Sequence, residues 1–222
     1  MKFPNAAKGI SKIFTAEILQ LIATLATGIA VVLAAIFGNE LSAENLNAGM
    51  TVWAIIILAL MAGAAVVGII ALIIKIIGFI QTARDESFFR GVIYLTVIAI
   101  LICFVAGAFS WNPFWSGFAN AVADVVTFIT SLMVVLGISR MAIALKDDGV
   151  LKSSGTLFKV ILGVGILSVL TSFFSIFIPS AAGYYFTVVL GCMTIVLSLV
   201  RYVLYLIVLS KAKKMLKSNV TE

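Results

Sequence analysis

The chain has 222 residues, 63% of them hydrophobic and only 11% charged, against about half and about a quarter in a soluble domain. With a mean hydropathy of +1.25, it carries more apolar surface than a water-soluble fold of this length can bury, so the solvent must be lipid. The net charge of +6 then speaks of orientation in a membrane rather than of nucleic acid, and no nucleic-acid partner is expected.

The sequence has no histidine. That removes His-based acid–base chemistry, Ser–His and Cys–His nucleophile pairs, and His-ligated zinc or haem. Cys103 and Cys192 each lie inside an apolar run, where they read as small hydrophobes rather than as a disulfide. No metal site, cofactor or enzymatic activity is expected.

In chain order, six apolar segments stand out, over residues 18–37, 51–80, 91–109, 119–145, 158–178 and 184–210. The expectation is an all-α polytopic membrane protein of six transmembrane helices, a single integral domain over residues 1–222. The first, third and fifth segments match the ~20 residues that cross a hydrocarbon core of about 30 Å. The other three run to about 27–30 residues, or roughly 40–45 Å, more than ordinary tilting absorbs. These three helices are expected to project beyond the membrane at one end.

The turns between segments carry a recurring charge pattern. Arg84-Asp85-Glu86-Ser87-Phe88-Phe89-Arg90 is matched by Lys146-Asp147-Asp148-Gly149-Val150-Leu151-Lys152, and more loosely by Lys211-Ala212-Lys213-Lys214-Met215-Leu216-Lys217. The pattern allows three two-helix hairpin repeats. Its acids are expected to offset neighbouring Lys and Arg and to cap the helix that follows.

With the N-terminus in the cytoplasm, all 15 Lys and Arg fall on the inner side. The loops assigned to the outside carry only Glu40 and Glu44. By the positive-inside rule this places both termini in the cytoplasm, and a prokaryotic cytoplasmic membrane is the expected location. On the outer side, Trp111, Phe114, Trp115 and Phe118 read as an interfacial aromatic belt in the loop between the third and fourth segments.

Charged groups near or inside spans point to function by default. Lys75, Arg84, Arg90, Arg140, Lys146 and Lys152 form a candidate inner basic rim, suited to an anionic lipid or to a cytoplasmic protein partner. Their ordinary role is snorkelling to headgroups. Asp124 is the one acid well inside a span. Together with Ser131 on the fourth segment, and with Thr194, Ser198 and Arg201 on the sixth, it forms a candidate binding set along helical faces. The alternative is that such hydroxyls merely pack helices closely.

Function is read in two ways. One is a small transporter or the substrate-capture membrane subunit of a transporter. The other is a non-catalytic accessory or assembly protein that docks a partner through its basic cytoplasmic face. Convergence of the polar set on a cavity favours the first; a solidly packed interior favours the second.

Overall fold

The computed structural model describes residues 3–37, 48–109, 111–177 and 181–221; Glu40 and Glu44 lie outside them. The described chain is all-helical, in the order α1 (Pro4–Phe37), α2 (Ala48–Thr82), α3 (Phe88–Ala108), α4 (Pro113–Leu145), α5 (Asp148–Phe177) and α6 (Ala181–Thr221). Five of the six, α1 to α5, contain stretches long and apolar enough to cross a membrane.

The helices extend further than the apolar runs. α1 has 34 residues, α2 35, α4 33, α5 30 and α6 41, so each is about 45–60 Å long at 1.5 Å per residue. Only α3, with 21 residues, fits a bilayer core without excess. Length in excess of a bilayer core is therefore not confined to the second, fourth and sixth helices. The physical reason is amphipathicity at the charged ends. Before the first apolar run, Ala6, Ile10 and Ile13 are fully buried while Lys8 faces out. Before the fifth, Val150, Ser154 and Leu157 are buried at helical spacing, a stripe that Ile161 and Val164 continue inside the run. A run-length reading stops at the last uninterrupted hydrophobe, but a 3.6-residue stripe continues past it.

Two helix starts have local causes. Asn112 has an extended backbone and its side chain accepts from the N–H groups of Phe114 (3.1 Å) and Trp115 (3.3 Å), with Pro113 next at the first helical position. This N-cap and proline pair opens a helix, so Phe114, Trp115 and Phe118 belong to the first turns of α4 rather than to a loop. At the other end of α4, Lys146 adopts the left-handed conformation (φ 57°, ψ 37°). Its N–H bonds the Ile143 carbonyl and the N–H of Asp147 bonds that of Ala142, which is the pairing of a Schellman cap. The third charge motif differs from the first two: Lys211 to Lys217 lie within α6 and form no turn.

The chain divides into two compact units, one of residues 1–10 with 79–222 and the other of residues 11–78. In the first, α4 packs against α3, α5 and α6, and α5 also packs against α6. The largest fully buried side chains of this unit, among them Phe79, Phe89, Ile138, Met141, Leu157 and Leu209, cluster toward the helix ends that carry the charges. Farther along the same helices the apolar side chains stand open, for instance Phe104 at 72% and Leu199 at 65%. Hydrophobic burial drives packing only where the alternative is water, since lipid is as apolar as leucine. A dry core at the charged ends and open hydrophobes elsewhere is what that difference produces in a membrane protein.

Contacts between the helices, at the charged end and beyond it, rely on glycine. The Phe89 ring lies against Gly137, where an added Cβ would sit 2.6 Å from the ring. Phe128 of α4 covers Gly165 of α5 in the same way, and Met133 covers Gly91 of α3. Small residues let helix backbones approach where no hydrophobic drive exists.

Candidate functional site

The basic end of the helices holds several polar interactions between elements. In the α2–α3 turn, the Asp85 carboxylate accepts from the N–H of Asn5 (2.7 Å), the N–H of Ala6 (2.8 Å) and Nδ2 of Asn5 (2.9 Å). An acid about eighty residues away thus caps the start of α1. The expectation that the turn acids cap the following helix therefore holds only in part: Asp85 serves α1, while Glu86 Oε1 accepts from the N–H of Phe88 at the start of α3, at 3.5 Å. The donors on α1 are free backbone amides of a first helical turn, and an anion answers both their hydrogen bonds and the helix dipole.

Glu86 turns the other way, toward α4. It lies 3.7 Å from Arg140, whose guanidinium sits 5.1 Å from the centre of the Phe88 ring. Arg140 is more than half exposed, so both attractions are screened by solvent. In the α4–α5 turn, by contrast, Asp147 Oδ1 accepts from the N–H of Val150 at 2.9 Å and caps its own helix.

Within the second unit, Lys75 pairs with Glu17 at 2.6 Å; the glutamate side chain is only 4% exposed and the lysine 24%. Glu17 directly precedes the first apolar run. The available signal was its position on the α1 stripe beside buried Ile13 and Ala16. Taken with the cost of isolating a carboxylate from water, that position called for a cation nearby. Lys75 is thus a committed ion-pair member, while Arg84, Arg90, Lys146 and Lys152 are exposed.

The deeper candidate residues lie on α4 and α6. Asp124 is exposed on α4, and Arg201 is half-buried on α6. Ser131 donates to the Thr127 carbonyl (2.9 Å) and Thr194 to that of Leu190 (2.8 Å), each one turn back on its own helix. Thr24, Thr27, Thr96, Thr130 and Thr171 bond in the same manner. A hydroxyl satisfied by its own backbone needs no partner across the interface. Ser198 is half-buried on α6. A shallow depression on α3 is lined by Thr96, Ala99, Ile100, Cys103 and Phe104, and none of the candidate polar residues contributes to it.

Comparison with family models, with curated proteins and with solved structures finds no match to this chain.

Proposed function

We propose that this chain is a six-span integral membrane protein of a prokaryotic cytoplasmic membrane, with both termini inside. In this reading it works without catalysis, as an accessory or assembly subunit that docks an anionic partner on its basic inner face. The observation that carries the reading is the contrast between the two ends of the first unit. Its tight core lies under the exposed Arg84, Arg90, Lys146 and Lys152, so the cations stand on a stiff support. The span hydroxyls of the transport reading, Ser131 and Thr194, are turned to their own backbones. A repeat built of three hairpins draws support from the α2–α3 and α4–α5 turns; the third motif, being helical, supports it less.

The experiment is complementation of a strain lacking the chain, with membrane levels equalised by immunoblot. The rim variant Arg84→Gln/Arg90→Gln/Lys146→Gln/Lys152→Gln should fail to restore the wild-type phenotype. The span variant Asp124→Asn/Arg201→Gln should restore it. The reverse result, rim tolerated and span variant inactive, would replace docking with transport.

A further inference from the structure

We infer that the basic end of the α5–α6 hairpin binds an anionic phospholipid, its headgroup on Lys152, Lys159 and Lys211 and its acyl chains along the exposed apolar faces of the two helices. The inference rests on the docking reading and narrows it to one place and one chemistry.

Three observations converge there. The first is charge that no ion pair takes up, although exposed Asp148 lies one turn before Lys152 on α5. Among the described residues, Lys75 is taken by Glu17 and Arg140 faces Glu86, whereas no carboxylate lies within ion-pair distance of Lys152, Lys159 or Lys211. Lys211 Nζ donates to Ser153 Oγ at 2.7 Å, which joins α5 to α6 at this level through a neutral acceptor and leaves the ammonium charge uncompensated.

The second is depth. Lys152 and Lys159 are exposed and two helical turns apart, so they lie on one stripe of α5 about 10 Å apart along its axis. The headgroup layer on one side of a bilayer is about 5–8 Å thick. Lys159 opens the long apolar run of α5 and so lies at the hydrocarbon boundary. Lys152, with Lys211 opposite it, lies at the aqueous edge. The cations bracket the layer in which lipid phosphates reside.

The third is what continues each stripe. On α5 the face of Lys159 runs on through Gly163 to Ile166 and Leu170, exposed at 55% and 46%. On α6 the face of Lys211 runs on through Ile207 and Val203, exposed at 42% and 56%. An acidic soluble protein would meet the lysines and leave these stripes without a counterpart. A phospholipid has both parts, an anion and two apolar chains, in the same order along the membrane normal.

The test is native mass spectrometry of the purified full chain in mild detergent, titrated with phosphatidylglycerol or with phosphatidylcholine of the same acyl chains. Each lysine near an anionic surface is worth roughly fivefold in affinity. We expect at least about a tenfold preference for phosphatidylglycerol. Lys152→Gln/Lys159→Gln/Lys211→Gln should abolish that preference while leaving phosphatidylcholine binding unchanged, and Arg84→Gln/Arg90→Gln should preserve it. Glycerol 3-phosphate at millimolar concentration should not displace the lipid. If the triple variant does not fold, the single Lys159→Gln should still lower the preference severalfold. Equal binding of the two lipids by the wild type, or an unchanged preference in the triple variant, overturns the inference. So does displacement by glycerol 3-phosphate, which would mark a phosphate site with no lipid character. Equal loss in the triple and the Arg84/Arg90 variants reduces the effect to general charge and overturns the local site. In each of these cases the docking reading survives if the rim variant still fails to complement. It falls by the complementation result alone.

Discussion

The two charged turns, α2–α3 and α4–α5, are written almost alike and are wired differently. In the first, Asp85 reaches across to the start of α1 and Glu86 reaches to Arg140 of α4. In the second, Asp147 caps the helix it begins, and Lys146 closes the helix before it in a left-handed conformation. One turn joins α2 to α3 and also reaches α1 and α4, four helices in all; the other joins two and leaves its lysines facing outward. Matching charge patterns therefore do not imply matching roles. What separates the turns is which unsatisfied backbone amides lie within reach of each carboxylate.

The contrast can be broken most severely from the helix that leads into the first turn. Lys75→Met leaves the buried Glu17 carboxylate without its cation and should destabilise the protein by about 3 kcal/mol, read as the free energy of reversible unfolding in mixed micelles. Glu17→Gln/Lys75→Met, which removes both charges, should recover most of that loss. If Lys75→Met alone is neutral, the pair is a surface ornament rather than a buried contact.

Next come the two aspartates, which test the contrast itself. Asp85→Ala strands three donors and should cost about 2 kcal/mol, with faster hydrogen exchange at the amides of Asn5 and Ala6. Asp147→Ala removes one local cap and should cost about 1 kcal/mol, leaving exchange at Asn5 and Ala6 unaltered. Equal costs with equal effects on α1 would mean that the turns are equivalent after all.

Lys146→Gly has the opposite sign. A left-handed residue with a Cβ carries about 1–2 kcal/mol of strain, so glycine should stabilise the protein by up to about 1 kcal/mol, part of the relief being offset by greater freedom in the unfolded chain. A drop in unfolding free energy would show that the Lys146 side chain contributes more than its backbone strain. The smallest effect belongs to Arg140→Gln. An exposed guanidinium at 3.7 Å from Glu86, with a ring below it, should contribute about 0.5 kcal/mol. That contribution should shrink further in molar salt, measured by the same unfolding titration.

Much of the architecture was legible in the order of residues. Composition demands lipid, and the apolar runs locate the helices. The Asn112-Pro113 pair is a readable helix start. The charged ends were harder. α1 and α5 begin well before their apolar runs because an amphipathic stripe, not an uninterrupted one, carries them. The candidate set of Asp124, Ser131, Thr194, Ser198 and Arg201 shows the limit of face-by-face reasoning. Helical spacing can align polar residues on one side, but it says nothing of whether two helices turn those sides toward each other.

The sequence by itself determined the apolar composition and the helical class, because these follow from residue content and local periodicity alone. The tertiary structure decided how the acids are used. Asp85 meets α1 and Glu17 meets Lys75 only after distant segments have been brought together. A carboxylate takes the nearest unsatisfied donor in space, and distance in space is not written in sequence separation.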